Sequence, residues 1–440
     1  MKQIFSWSTT NFFIEKSLAS TQVMPTSSDL ASVVILYHPP FRNVAFPTEL
    51  LSNVQGYRFF ILMIEEDVDR HRKLVHQYGI EGVIPVHFEI DSLIQVCDEI
   101  TSKHGPIRKF VYLAEECVRL AGQLGKHYGI EKEHFDRYID KDLMARKLKE
   151  AGIRVPKSLL FNEAKYQLNR EVYLDEIEEN LGKYPYFIKP SDLCGSVQTC
   201  KVHNRGDLVA WVHEKTHHTY LIQEFIEGTL FHCEGFIQNK KAKHFSVFEY
   251  SHPGFCFSQG LPVGSLSLPS DDPIAQRVSR FTEVVLENLG MIENGVSHTE
   301  IFLNQNGELI CLEVAARPPG LVAEHLYEKH LNLSINRLHF ELQLGCYHGD
   351  LSNLKIENYA ARYIFPFPSS GRIVRFANKK HLHSEVQEAF QCKVGDVVKR
   401  SADLFNVAST MVLWNEDYRL LREDFTKLKT YNPFEIEQQV

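Results

Sequence analysis

Two glutamates carry the most specific chemistry in this chain. They lie in Ser297–Gly320, SHTEIFLNQNGELICLEVAARPPG. Asn306–Gly307 is a strong two-residue hairpin signal, because both residues tolerate positive φ. With those two as the loop, Gln305 pairs with Glu308, and the same register sets Glu300 directly opposite Glu313. Their Cβ atoms would then lie roughly 5 Å apart. Opposed carboxylates repel, and a divalent cation between them removes the repulsion; the plain alternative is a solvated sheet face on which both charges are hydrated. An oxygen-only ligand set suits magnesium, which borrows further oxygens from substrate phosphates. Arg317, four residues beyond Glu313 and just before Pro318–Pro319, adds a fixed cation at the same end. The combination points to a nucleotide.

The phosphate partners of such a site are less obvious. No GxxxxGK[ST] occurs, and no GxGxxG follows the first strand-like run, so neither a Walker-type ATPase nor a dinucleotide-binding domain is the simple reading. Lys189 ends an apolar run, YFIKP, and leads into SDLCGSVQ, which contains Gly195 and Ser196. A lysine at a strand end neutralises a phosphate while the N–H groups of a small-residue loop surround it. Taken alone, a lysine before a proline is as readily just solvated, and QEFIEG at Gln223–Gly228 is an apolar strand with a polar edge.

Positioning these groups needs more than one domain, and 440 residues exceed a single compact core. SVVILY at Ser32–Tyr37, RFFILMI at Arg58–Ile64, an amphipathic stretch at Asp67–Tyr78 and GVIPV at Gly82–Val86 predict a βαβ unit of a parallel sheet. Helices are predicted over Ala114–His127 and Asp140–Ala151, the second stopping at Gly152. Strands follow at Tyr186–Ser191, Tyr220–Ile226 and Phe245–Tyr250, then a helix over Asp272–Leu289 and the carboxylate hairpin. Beyond Leu331 come a short helix and strands at Tyr359–Phe365 and Gly371–Phe376. The fold class is α/β (α+β), divided into 1–125, 126–345 and 346–440.

Composition removes several function classes. A net charge of −8 opposes nucleic-acid binding through a broad basic surface, and no apolar run is long enough to span a membrane. Met1–Ser20 lacks the continuous apolar stretch of a signal peptide. Nine dispersed cysteines without a CxxC read as buried thiols of a reducing compartment, so the expected location is cytoplasmic. The histidines show no zinc spacing. His298 shares a hairpin face with Glu300, where it either orients substrate or packs.

Taken in order, RYIDKDLMARKLKEAGIRVPK, YPYFIKPSDLCGS, LIQEFIEG and HTEIFLNQNGELICLEVAARPPG resemble the ATP-grasp superfamily, over roughly Val111 to Gly320. The resemblance implies an ATP-grasp fold preceded by a βα (pre-ATP-grasp) domain at 1–125. A small α+β domain at 346–440 would follow, similar to that of dipeptide-forming carboxylate–amine ligases. It implies that Lys141 and Lys189 contact ATP phosphates under a flap, Ser191–Ser196, with Ser196 among the contacts. Gln223, Glu224 and the backbone of Phe225–Ile226 would face the adenine. Glu300 and Glu313 would hold magnesium, or manganese in its place, and Arg317 the transferred phosphate or acyl phosphate. The chain departs from the family pattern at Leu230, where an acid usually holds the ribose, so His232 or Glu234 takes that role here. Ala315 stands where an Asn often adds a third metal ligand, and the flap has Asp192, Leu193 and Cys194 in place of glycines. In relatives, the segment matching Tyr250–Gly264 approaches the amino-acid pocket; a plain long loop is the other reading.

The reaction implied is formation of an amide or peptide bond through an acyl phosphate, with release of ADP and phosphate. The partners are a small-molecule carboxylate and an amine, both expected to be amino acids, with a homodimer as the candidate assembly. Two other readings stand beside it: a biotin-dependent or bicarbonate-using carboxylase of the same fold, and a catalytically silent ATP-binding module.

Overall fold

The computed structural model describes residues 30–38, 50–51, 54–71, 80–130, 135–377 and 380–437. Met1–Ser20, Pro39–Pro40 and the predicted helix beyond His71 lie outside them. The first unit is a four-stranded parallel sheet: β1 (Ala31–Leu36), β2 (Tyr57–Met63), β3 (Ile80–Pro85) and β4 (Ile107–Tyr112), in the order β3-β2-β1-β4. Its helices are α1 (Glu65–His71), α2 (Ile90–His104) and α3 (Glu115–His127). The apolar runs of β1 and β2 are buried on both faces, as a parallel sheet requires. One face packs on α2 and α3, and the other receives Phe340 and Leu344 from a later helix.

The second unit opens with α4 (Lys141–Glu150), whose N-cap Asp140 accepts from the Asp142 and Leu143 N–H groups. It continues through β5 (Ser158–Leu160), α5 (Glu163–Leu168), α6 (Arg170–Leu181), β6 (Tyr186–Pro190), β7 (Cys200–Val202), α7 (Arg205–Glu214) and β8 (Tyr220–Glu224). The strands form an antiparallel sheet, β5-β8-β6-β7, with an aromatic-rich core of its own that includes Tyr173, Tyr186 and Trp211.

The remaining chain builds one large sheet. Its strands are β9 (Gly228–Gln238), β10 (Lys241–Tyr250), β11 (Val263–Ser267), β12 (Gly295–Asn304), β13 (Leu309–Ala315) and β14 (Tyr359–Pro366), joined by two later strands. Helix α8 (Pro273–Leu289) starts at the N-cap Asp272 with Pro273 in its first turn. Helices α9 (Ala323–Leu331) and α10 (Ile335–Leu344) follow the hairpin. After β14 come β15 (Gly371–Phe376), β16 (Glu385–Phe390), β17 (Val397–Val398), β18 (Val407–Asn415), α11 (Tyr418–Leu428) and β19 (Phe434–Glu437). The large sheet runs β13-β12-β9-β10-β11-β14-β18-β16, and β17-β15-β19 form a three-stranded sheet. The large sheet therefore runs across residue 345, so the 346–440 segment extends the sheet that carries the hairpin. Among the described residues, no helix is long and apolar enough to cross a membrane. All nine cysteines are free; four of them are only partly buried, which differs from the uniformly buried set expected from the sequence.

Candidate active site

The hairpin does set Glu300 against Glu313, but by a different route from the one the sequence predicts. The loop has three residues, not two. Asn304 N–H donates to Glu308 O at 3.0 Å, and the Asn304 side chain accepts from the Asn306 and Glu308 N–H groups. Gly307, at φ +77°, supplies the left-handed residue that this loop needs. That loop alone would misalign the two glutamates by one position. A bulge on β13 between Cys311 and Glu313 adds one residue, and the register returns to Glu300 opposite Glu313.

Strand β12 lies between β13 and β9, so two rows of side chains cross the sheet. One row joins Glu313, Glu300, His232 and Phe248; the next joins Ala315, His298 and Glu234. This face of the large sheet and the face of β6 and β8 line a single cavity. The cavity receives Lys141, Lys189, Ser196, Gln223, Glu224, Phe225, Ile226, Glu300, Glu313 and Arg317. His232 and Glu234, the two alternatives for the ribose, stay outside it.

His232 is fully buried, stacked on Phe248 at 4.8 Å, with Nδ1 2.7 Å from Glu234 Oε1. Glu234 is equally buried and also holds His298 Nδ1 at 2.7 Å, while the Tyr327 hydroxyl donates to its other oxygen at 2.7 Å. Neither residue lines the cavity. Leu230 does line the cavity, and it does so as an apolar wall. Burial opposes ionisation of Glu234, but the charge and hydrogen bond of His232, together with the His298 hydrogen bond, override it and hold its pKa well below the carboxylate range.

The two opposed glutamates are neutralised by side chains. Lys141 Nζ is 3.3 Å from one oxygen of Glu313, and Lys189 Nζ is 3.7 Å from the other. Both lysines are about 95% buried, at 4% and 5% exposure. Lys141 also donates to Leu193 O in the flap at 2.7 Å. Burial works against its charge, but Glu313 and Glu115 raise its pKa; for Lys189 burial prevails and the pKa falls. Glu300 accepts from the Tyr250 hydroxyl at 3.0 Å and has His298 Nε2 at 3.7 Å. Against the effect of burial, the His298 hydrogen bond and charge with the Tyr250 hydroxyl bring Glu300 down to about 2. Burial lowers His298 in turn, and its bonds to Glu234 and Glu300 more than compensate, raising it to about 9. Side-chain cations thus offset the mutual repulsion, a contribution that the hairpin register alone could not show.

Arg317 has a partner that the sequence reading missed. Its Nε donates to Glu115 Oε2 at 2.8 Å, an Nη closes a second bond to the same oxygen, and Nη1 donates to Pro318 O at 2.8 Å. Glu115 opens α3 of the first unit, where it looks in the sequence like an ordinary acid in a helix's first turn. At the opposite end of the cavity, Phe187, Phe225 and Phe255 pack with centroids 5.3 to 6.5 Å apart, and Lys201 Nζ lies 3.7 Å over the Phe225 ring. The Glu224 carboxylate is held by Arg154 Nη2 at 2.6 Å and Lys157 N–H at 2.7 Å, and the Phe225 N–H donates to Pro185 O at 3.2 Å. The flap is held as well. Gly195 O accepts from Leu404 N–H at 3.2 Å, and Gly195, at φ +66°, lies so close to Phe405 that a Cβ there would come within 2.7 Å of the ring.

Comparison with known proteins places this geometry. Residues 148–333 match the family model of the D-ala D-ala ligase C-terminus. The chain is 26% identical over 251 residues to an L-arginine-specific L-amino acid ligase of Bacillus subtilis, covering 53% of this chain and 57% of that one. It is 24% identical over 200 residues to a D-alanine–D-alanine ligase of Oceanobacillus iheyensis, covering 43% and 52% respectively. The chain thus spans about half the length of these curated relatives. The crystal structure of an L-amino acid ligase from Bacillus licheniformis superposes with a TM-score of 0.69 at 15% identity, over 93% of this chain and 99% of that one. An N5-carboxyaminoimidazole synthase from Aspergillus clavatus, solved with ADP, gives 0.61 at 12% identity over 91% and 98%. Residues 148–333 are therefore similar to the D-ala D-ala ligase C-terminus, and the chain shares its fold with the solved L-amino acid ligase.

Proposed function

We propose that this chain is an ATP-dependent carboxylate–amine ligase that makes an amide or peptide bond through an acyl phosphate, with amino acids as substrates. The observation that carries this reading is the opposed pair Glu300 and Glu313 facing Lys141 and Lys189 in one cavity, with Arg317 on the same wall. A carboxylate oxygen of the acid attacks the γ-phosphorus of ATP, and the bond from that phosphorus to the ADP oxygen breaks. The amine nitrogen then bonds to the acyl carbon, the bond from that carbon to the phosphate oxygen breaks, and the amine loses one proton.

Little covalent chemistry falls to the protein. Lys141 and Lys189 neutralise the terminal phosphates, Arg317 steadies the acyl phosphate, and the flap around Ser196 keeps out water that would hydrolyse it. Gln223 and the Phe225–Ile226 backbone meet the adenine beside the phenylalanine cluster; Glu224, tied to Arg154, shapes that strand. Glu300 and Glu313 form an all-oxygen pair that fits magnesium, whose chemistry here is to neutralise charge on phosphate oxygens. The three segments 1–125, 126–345 and 346–440 and a cytoplasmic location belong to the same reading. The test is to incubate the protein with magnesium, ATP and pools of acids and amines, and to separate the nucleotides. ADP release that depends on both substrates is the expected result; AMP as the stoichiometric product would overturn the reading.

A further inference from the structure

We infer that the cavity selects a substrate with an apolar, uncharged side chain, and that Leu321, Val263, Ile364 and Leu404 form the wall that selects it. The inference rests on the ligase reading above and specifies the side chain of one of its two substrates. The register of the large sheet lays out the cavity floor in rows. Tyr250, whose hydroxyl meets Glu300, stands opposite Ser265, and Ser265 stands opposite Arg362. The next row on the same face is Val263 opposite Ile364, because strand side chains alternate. Both are buried and pack with Phe257, while Leu321 and Leu404 reach them from the loops after β13 and before β18. All four wall residues line the cavity. Its floor thus changes from carboxylates at the hairpin to hydrocarbon at β11 and β14.

Charge decides what this end accepts. Among the described residues, the acids that line the cavity are Glu224, Glu300 and Glu313. Each is engaged by a side-chain cation: Glu224 by Arg154, Glu300 by His298, and Glu313 by Lys141 and Lys189. A cationic side chain at the wall would meet no carboxylate, and Arg362, bonded to Ser265 Oγ and Gly320 O in the neighbouring row, would repel it. An anionic side chain would exchange water for hydrocarbon there. An apolar one gains by burial. Leu321 supplies an independent observation. Its φ is +62°, in the left-handed region where a residue with a side chain is strained and glycine is not. Strain of this kind gathers at ligand walls, and here it keeps a leucine side chain in the cavity against its backbone preference.

The test pairs glycine, which has no side chain, with a second amino acid that is free to enter either position. With ATP and magnesium present, kcat/KM for the second amino acid is read from ADP release. Leucine, methionine and phenylalanine should exceed lysine, arginine, aspartate and glutamate by about tenfold or more, the scale on which an apolar pocket discriminates. Leu321→Gly relieves the backbone and removes the side chain, so the preference for leucine should fall by about tenfold. Leu321→Asp, an exchange that positive φ tolerates, places a carboxylate on the wall and should reverse the order of leucine and lysine. Unchanged ATP binding checks that each variant is folded. Lysine or aspartate used as well as leucine by the wild type, or a preference that survives in both variants, would overturn the inference and leave the ligase reading standing. No ADP release with any pair would overturn both.

Discussion

Glu313 stands between Lys141 and Lys189, one carboxylate oxygen 3.3 Å from the first ammonium and the other 3.7 Å from the second. The carboxylate proposed to hold magnesium is therefore paired with two protein cations. On the proposed function, ATP phosphates would take Glu313's place beside the lysines, and Glu313 with Glu300 would hold magnesium, which would neutralise phosphate charge. This arrangement gives two buried lysines one shared anion, and it makes Glu313 a gate on the charge state of the site.

Replacing Glu313 by Gln should thus separate two effects. Metal-dependent turnover is expected to fall by about 100-fold or more, the scale for removing one group aimed at developing charge. Metal-free ATP affinity should hold or rise, because the lysines lose a competing anion. Calorimetry without metal and turnover with it read the two effects; wild-type turnover in the variant would remove Glu313 from the site.

Lys141 and Lys189, at a helix start and a strand end, are the proposed partners of the phosphates. Lys→Ala at either position should weaken ATP binding by roughly 1.5–3 kcal/mol, the value of a hydrogen bond to a charged group. Unchanged affinity in both variants, measured by calorimetry, would refute the phosphate assignment.

Glu115 couples the first unit to the hairpin through Arg317. Glu115→Ala leaves a buried guanidinium without its anion and should destabilise the fold by about 3 kcal/mol or more. Glu115→Gln, which keeps an acceptor, should cost less. Denaturant unfolding measures both, and equal stability of the alanine variant would mean that the pair has no structural weight.

The His298–Glu234 contact predicts a pH dependence with a definite sign. His298 is raised to about 9 in the fold, against about 6.5 for an unperturbed histidine. Its contribution is fully present below about pH 6.5 and is lost as pH rises through about 9. The Glu234 contribution, from a lowered pKa, is present above about 4.3 and is lost only in stronger acid. The difference in thermal stability between wild type and His298→Asn should therefore shrink between pH 6.5 and pH 9. A gap that is constant across that range would show that the imidazolium carries no stabilising charge.

Local motifs made part of this site readable and left part of it hidden. Lys141 follows a helix cap, Lys189 ends a strand, and Glu300 and Glu313 flank one turn, so each has a signal within a few residues of itself. The Asn-Gly signal predicts a two-residue turn where the chain has three, and the bulge beyond it restores the register, so the glutamate pair rests on two compensating differences. His232 shares the glutamates' sheet face, and alternation alone could not show that Phe248 and Glu234 enclose it. Glu115 lies about 200 residues from the hairpin and meets it only through tertiary packing. The extension of the large sheet across residue 345 had no local signal at all.

The central claim is an acyl phosphate, and oxygen transfer tests it most directly. The acid substrate is labelled with oxygen-18 in its carboxylate, the reaction is run with amine, ATP and magnesium, and the products are weighed by mass spectrometry. The account predicts that one labelled oxygen per turnover appears in inorganic phosphate, with ADP unlabelled. Label in AMP, or product formed with no label in phosphate, would contradict it.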